Sequence, residues 1–477
     1  MKKREYSDGI INFRDEQFIC NACVSERYLK GIIIKWGKTG TCSYCKKKGK
    51  VRTLGFLVDK IETAFEQFYE RTPEEHDEFH NPHDAWYREG NDVIDVISDI
   101  AGIDEKIAKD VLDILQDKYF DWENHTMGIE NEFDKGSQYE LKFPHHGDLQ
   151  EKWNEFKTLV GKRDLVSRNE AEAILTDIFS VLDELLRYDK KTVVVAAGPK
   201  TEINVLHRAR VFYDEDKLMD ALAIPDAELG TPPAHVVKAG RMNWDGSPVF
   251  YGAEDVNTAV SEVRPPVGSY VAVASFEIIR DLRILDLEKL NEAFIDGSIF
   301  SHDELKKRQK AWFLRRFSDL ICIPVMPDKE NKDYLPSQAV ADFVCNKLGL
   351  DGIRYRSVQT SGPHAMNIVL FEKASEVDRL DTPKDTKIEK YKAHSDEEYD
   401  SPYCVHEIRP KGSLDKITTK GATTATLRVL VDKIVVNKIE AVSYVSKTTK
   451  VNRALYRNCE ETTEDREDKF DFFTSSL

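Results

Sequence analysis

No stretch of this 477-residue chain approaches the ~20 consecutive apolar residues that a membrane-spanning helix needs. The first residues, M-K-K-R-E-Y-S-D-G-I, also lack the apolar core that follows the basic start of a signal peptide. Both absences lead us to expect a cytoplasmic protein. Positive charge is in deficit: 69 Lys and Arg stand against 85 Asp and Glu, a net −16. That balance argues against nonspecific binding of DNA or RNA over the whole surface, though it leaves room for a local basic cleft. Nothing repeats at a fixed period, which excludes a solenoid or propeller. Cysteine is sparse, and four of the eight (Cys322, Cys345, Cys404, Cys459) are scattered. In a reducing compartment these are expected to be free thiols.

What is present describes a folded chain of two to four domains, with 41% hydrophobic and 32% charged residues. The other four cysteines form two C-x-x-C pairs, Cys20/Cys23 and Cys42/Cys45, eighteen residues apart. Two close pairs bridged by a loop of ~15–20 residues is the spacing of a structural zinc site with four thiolate ligands. Such a site is closed and leaves no coordination position for chemistry. Residues 1–56 are therefore expected to be a zinc-stapled segment. Lys46, Lys47 and Lys48 beside the second pair read first as a solvated turn, with nucleic-acid contact as the alternative.

Leu57, Ile61, Phe65 and Phe68 open a region of helical periodicity that continues to about residue 190. Thr72, Pro73 and Glu75 predict a new helix start, and Ser167 with Glu170 predicts another. From T-V-V-V-A-A (192–197) onward, β-branched runs alternate irregularly with candidate helices at 216–223, 254–263, 302–317 and 337–348. The expected class is α+β: a zinc segment and helical bundle, then a mixed or split sheet over 191–380. Residues 381–402 are charged and read as a loop or linker. Late strands in 403–460 are expected to complete the sheet, followed by an acidic tail, 461–477.

One constellation carries chemistry. Arg208 and Arg210 lie two apart in a strand-like run and share a face. Gly240-Arg241-Met242-Asn243 offers a close backbone approach, a cation and an amide. Tyr251 ends the next short strand, and Glu262 lies on the inner face of a predicted helix, where a carboxylate must be paired or functional. Two arginines can grip a pyrophosphate through forked, charge-assisted hydrogen bonds. An aromatic ring can cover a flat base, and a carboxylate can stabilise a sugar cation. The set suits a dinucleotide whose N-glycosidic bond is broken.

The order R-x-R, then A-G-R-M-N-W-D-G-S-P-V-F-Y, then A-V-S-E-V-R resembles the RES family of NAD-degrading toxins. Y-L-P-S-Q-A-V-A-D-F-V, L-D-G-I-R-Y-R-S and N-I-V-L-F extend the resemblance over roughly 200–375. The N-terminal half resembles the zinc-binding, HEPN-like region of longer RES proteins. This resemblance implies an ADP-ribosyltransferase-like fold that cleaves NAD+ at the nicotinamide–ribose bond, with water or phosphate as acceptor. It implies Arg208, Arg241, Tyr251, Glu262 and Ser337 as catalytic residues, with Arg210, Asn243, His364 and Asn367 lining the NAD+ cleft. Ser337 also reads as a helix cap after Pro336. An antitoxin or trigger protein, self-association and a defence role are the implied partners and setting. Residues 294–317 are a helical insertion relative to compact RES toxins, a candidate lid, oligomer contact or brake. The rival readings are a HEPN-type ribonuclease using Arg71 and His76, ADP-ribosyl transfer to a macromolecule, and a non-enzymatic nucleotide-binding module.

Overall fold

The computed structural model describes residues 17–73, 75–76, 86–142, 147–162, 164–322, 330–360, 365–393, 403–411, 416–443, 445–451 and 453. At its start, β1 (Phe18–Cys20), β2 (Lys38–Thr41) and β3 (Lys48–Thr53) form an antiparallel sheet in the order β1-β3-β2. The helix α1 (Arg27–Trp36) packs Leu29 and Ile33 against this small sheet's Ile19.

The next unit contains α2 (Leu54–Phe68), β4 (Tyr69–Arg71), β5 (Glu75–His76), β6 (Trp86–Tyr87), β7 (Asn91–Asp92), α3 (Val93–Ala101), α4 (Glu105–Tyr119), α5 (Trp122–Thr126) and β8 (Gln138–Leu141). Leu57, Ile61 and Phe65 of α2 meet Val93 and Ile97 of α3 and Ile107, Val111 and Leu115 of α4 in one buried cluster. Their three- and four-residue spacing is the helical period seen in the sequence. The Asp92 and Asp104 side chains cap the starts of α3 and α4, and Gly102 ends α3 in the left-handed conformation.

The helix expected at Thr72 is not formed. Sheet pairing takes its place: Thr72 N–H bonds the Gln138 carbonyl at 3.0 Å, and its hydroxyl donates to Glu89 O at 2.6 Å. The hydroxyl that would have capped a helix is already committed. The later helices are α6 (Gly147–Val160) and α7 (Leu165–Phe179). Asp164, not Ser167, caps α7, because its carboxylate reaches both the amide and the hydroxyl of Ser167 at 2.8 Å.

The remaining elements are β9 (Val194–Ala197), β10 (Val205–Phe212), α8 (Glu215–Ala223), α9 (Pro225–Glu228), β11 (Phe250–Ala253), α10 (Val256–Glu262), β12 (Tyr270–Ile278), β13 (Leu282–Asp286), α11 (Leu287–Leu290), α12 (Glu304–Arg315), α13 (Phe317–Ile321), α14 (Glu330–Asp333), α15 (Leu335–Asn346), β14 (Gly352–Arg356), β15 (Met366–Leu370), β16 (Val377–Asp378), β17 (Lys387–Lys392), β18 (Tyr403–Ile408) and β19 (Leu427–Lys438). Nine strands make one mixed sheet, ordered β16-β19-β12-β10-β11-β15-β14-β13-β9. Only the β13/β14 and β16/β19 pairs are parallel. The fold is α+β. Among the described residues no helix is long and apolar enough to cross a membrane.

Within 381–402, read as a charged loop, residues 387–392 form β17, paired with β18 along their length. Lys390 and Lys392 bond Asp220 and Glu215 of α8, so the charges that suggested a loop anchor a hairpin instead. β19 joins the large sheet between β12 and β16, whereas β18 pairs with β17 alone.

The insertion at 294–317 ties the two halves of the chain together. Phe300 is buried in the N-terminal cluster, with Ile299 and Leu305 packed beside it. Arg308 lies over the Phe68 ring, bonds the buried Glu304 at 2.9 Å and reaches Gly297 O. A Cβ at Gly297 would sit 2.0 Å from the Glu304 carboxylate, so a side chain there would displace that carboxylate. On the other side, Phe313 and Phe317 stack edge-on to Trp153, and Phe317 also to Phe179. α6 and α7 thus share their core with α12, α13 and α15. This geometry corrects the lid reading: the segment is a packed strut.

Trp153 is fully buried at the centre of that aromatic cluster. Trp153→Ala should therefore lower unfolding free energy by about 3–5 kcal/mol. Urea denaturation followed by circular dichroism reads this, and an unchanged midpoint would contradict the packing role.

Candidate active site and metal centre

A cavity of about 430 Å3 opens beside the centre of the large sheet, lined by Arg208, Arg241, Tyr251, Glu262, Tyr355 and Asn367 among others. Strand register explains the convergence. β11 lies between β10 and β15, which sets Ala253 opposite both His207 and Asn367, and Asn367 is in turn opposite Tyr355 of β14.

Arg208 donates to the Tyr251 carbonyl at 2.9 Å, and its guanidinium lies 5.4 Å from the Phe250 ring centroid. Among the described residues it has no carboxylate partner. Burial lowers its pKa to about 10, which leaves it cationic at neutral pH and in want of a counter-charge. Arg241 enters from the loop before β11, donating to Ile321 O at 3.2 Å and lying 5.2 Å from the Tyr334 ring centroid.

The loop that presents Arg241 is clamped. The Ser337 hydroxyl donates to Arg241 O at 2.6 Å, and Gln338 donates to Gly240 O at 2.7 Å. A Cβ on Gly240 would lie 2.6 Å from Asn243 Oδ1, so glycine is needed for this approach. The Tyr251 hydroxyl accepts from Met242 N–H and donates to Asn243 Oδ1, each at 2.9 Å. Asn243 in turn donates to the carbonyls of Lys238 and Trp244. Burial raises the Tyr251 pKa, so the phenol stays protonated while its ring faces the cavity.

Glu262 is the last residue of α10. A carboxylate at a helix C-terminus opposes the helix dipole, so helix stability does not account for its placement. One oxygen, Oε1, accepts from Ser357 Oγ at 2.5 Å and from Asn367 Nδ2 at 2.7 Å. Both hydrogen bonds from the described residues fall on that atom, which leaves Oε2 for a ligand. The arrangement is a half-buried carboxylate with its rotamer held by two neutral donors, in a cavity also lined by Arg208 and Arg241.

Arg208, Arg241, Tyr251, Glu262 and Asn367 are brought together as the sequence predicted. Other expected site residues are not. Arg210 is taken by Glu228, bonding its carbonyl at 2.6 Å and its carboxylate at 2.7 Å. Asn243 and Ser337 are buried behind the cavity and hold the loop rather than line it. Ser337 is also not a cap: Tyr334 occupies that position, and the Ser337 hydroxyl donates back to its carbonyl at 3.0 Å. His364 lies outside the described residues.

Several lining residues escaped the sequence reading. Tyr355, His207 and Arg264 are among them, and Ser357, buried outside the lining, was missed as a partner of Glu262. Two-residue alternation from Tyr355 to Ser357 at the end of β14 was the available signal. His207 pairs with Ser275 Oγ at 3.0 Å, and burial depresses its pKa, keeping it neutral. Cys322 also borders the cavity, but burial pushes its thiol up to about 11, so it is no thiolate at neutral pH. The Arg71/His76 pair shows no shared helix, since β4 and β5 carry them in different sheets. Arg71 is spent on the carbonyls of Glu130 and Asn131 at 2.9 and 2.8 Å.

A second centre lies in the N-terminal segment. The Sγ atoms of Cys20, Cys23, Cys42 and Cys45 all fall within 4.8 Å of one another. Three of the separations are 3.8, 3.5 and 3.8 Å. A tetrahedron of ~2.3 Å metal–sulfur bonds has edges of about 3.8 Å, so the cluster fits a metal ion without rearrangement. Tight turns shape both pairs: Cys23 N–H bonds Cys20 O, Lys46 N–H bonds Cys42 O, and Lys46 adopts a φ of 60°. Replacing the buried Cys42 with Ser should reduce bound metal from about one equivalent per chain to near zero. Inductively coupled plasma mass spectrometry reads this; full retention would overturn the assignment.

Comparison with known proteins agrees with this layout. Residues 208–393 match the RES domain, and residues 35–172 match HEPN/RES N-terminal domain 1. No curated protein matches the chain. Among solved structures, the Mycobacterium tuberculosis MbcT–MbcA toxin–antitoxin complex contains a chain 12% identical, with 41% of this chain and 82% of that one covered. The TM-score of 0.21 is too low for structural argument. The RES match covers the strands and helices that carry the arginine–carboxylate cavity, and the HEPN/RES match covers the α2–α4 unit and the second cysteine pair, so the chain carries a RES domain preceded by a HEPN/RES N-terminal domain.

Proposed function

We propose that this protein cleaves NAD+ at the nicotinamide–ribose bond, as a glycohydrolase or phosphorylase, and acts as a toxin. The observation that carries the reading is Glu262: one carboxylate oxygen is fixed by Ser357 and Asn367, and the other faces a cavity that also holds Arg208 and Arg241. In this reading the two guanidiniums neutralise the pyrophosphate, and the anchored Tyr251 ring packs on the nicotinamide or its ribose. Glu262 Oε2 accepts from a ribose hydroxyl and stabilises the cationic sugar as the C–N bond lengthens. Nicotinamide leaves as a neutral pyridine from a pyridinium, so departure needs no proton donor. Water or phosphate then adds to the ribose carbon. The four-cysteine cluster would hold Zn2+ in a structural role, far in kind from this chemistry, because four thiolates leave no open position. An antitoxin or a trigger protein is the natural partner of such an activity.

Purified protein incubated with NAD+, with and without phosphate, should release nicotinamide together with ADP-ribose or its 1″-phosphate, resolved by mass spectrometry. ADP-ribose appearing on a protein or nucleic acid instead would assign macromolecular transfer. Glu262→Gln should lower kcat by about 10²–10³, the effect of removing one preorganised charge stabiliser. Near-normal turnover in that variant would sink the mechanism. Ser357→Ala keeps the carboxylate but frees its rotamer, and should lower kcat by about ten- to a hundredfold with KM nearly unchanged. A rise in KM alone would instead mean that Ser357 serves binding.

A further inference from the structure

The zinc-type module carries a charge pattern that the proposed activity does not use. Between residues 17 and 53, nine Lys and Arg stand against a single acid, Glu26, a formal +8 in a chain whose total is −16. A divalent ion on four thiolates would subtract only two from that figure. Lys30, Lys35, Lys38, Lys48 and Lys50 are exposed, and among the described residues none has a carboxylate partner.

Their arrangement is ordered by β3. Lys48, Lys50 and Arg52 alternate along the strand and share a face, spaced about 6.6–6.8 Å apart. The antiparallel register sets Thr41 beside Lys48 and Thr39 beside Lys50, adding hydroxyls to the same face. Arg52 reaches the Trp36 carbonyl at 3.5 Å, which places the end of α1 at the head of this stripe. Trp36 is 63% exposed and Ile34 51% exposed, and the Lys35 ammonium lies 5.1 Å from the Trp36 ring centroid. A large flat ring left in water beside a row of unpaired cations is a stacking platform with an electrostatic track.

We propose that this face of the four-cysteine module binds single-stranded nucleic acid, with Lys48, Lys50 and Arg52 tracking phosphates and Trp36 stacking on an unpaired base. Charge complementarity selects a polyanion, and the exposed ring selects unpaired bases over a duplex, whose bases are already stacked. The strand spacing of the cations matches consecutive phosphates of an extended strand. The interaction is independent of NAD+ cleavage and belongs to a different surface.

Fluorescence anisotropy with the full-length, metal-loaded protein and labelled 20-nucleotide oligo-dT and oligo-U tests the proposal. Binding is expected for at least one, with log K falling against log salt at a slope of about −2 to −3 for three to four phosphate contacts. Lys48→Glu with Lys50→Glu should abolish binding. Trp36→Ala should weaken it by about 5- to 100-fold, while Trp36→Phe retains most of it. Metal content and urea midpoint are measured alongside, so that loss of fold is distinguished from loss of contact. No binding to either oligonucleotide overturns the proposal. So does equal affinity for polyglutamate or for a duplex of the same length, or tighter binding to anionic phosphatidylserine vesicles. Wild-type affinity in the folded charge-reversal or Trp36→Ala variants overturns it as well.

Discussion

A cleft that gathers the Glu262 carboxylate with the Arg208 and Arg241 guanidiniums must keep them from collapsing onto each other, and the rest of this half is arranged around that constraint. Direct ion pairs would neutralise the groups and close the site. Neutral partners hold Glu262 and Arg208 instead: Ser357 and Asn367 on the carboxylate, and the Tyr251 carbonyl on the guanidinium. Hydrogen bonds to such groups fix their geometry while leaving their charge for a ligand. Charge that has only a structural duty is handled differently. Arg354 is forked onto Glu254 and also bonds the fully buried Asp286, with its pKa raised by those partners. The contrast between these two treatments of arginine within one sheet separates site from scaffold more clearly than burial alone.

The same cleft depends on elements distant in sequence. α13 ends at Ile321, whose carbonyl receives Arg241, and its Phe317 is packed by Trp153 of α6 and Phe179 of α7. α12, just before it, is anchored to the N-terminal cluster through Arg308 over Phe68 and through nearby Phe300 and Leu305. A continuous packed route therefore runs from the HEPN/RES N-terminal unit to a guanidinium in the cavity. Compactness of such aromatic packing transmits displacement rather than absorbing it. Residues 294–317 are that route.

Local signals in the chain were reliable where one element could satisfy them alone. The cysteine spacing led directly to four sulfurs at tetrahedral distances, because each C-x-x-C turn presents two thiolates by its own geometry. Periodicity located α2, α3 and α4. Capping patterns failed at Thr72 and Ser167, because a hydroxyl that can cap a helix can equally bond another strand's carbonyl or a nearby carboxylate. Charge failed at 387–392 for a related reason: lysines that look solvated found Asp220 and Glu215 on α8.

By itself, the sequence determined the four-cysteine cluster and the α+β class, since residue type and strand or helix period are properties of short segments, while the resemblance to RES motifs offered Arg208, Arg241, Tyr251, Glu262 and Asn367 as candidates. Tertiary structure alone decided which of the candidates share a cavity. Arg210 was lost to Glu228, Asn243 and Ser337 were moved behind the wall, and Ser357 was brought 95 residues along the chain to Glu262. Those outcomes depend on strand order and on competition among distant partners, which no local pattern encodes.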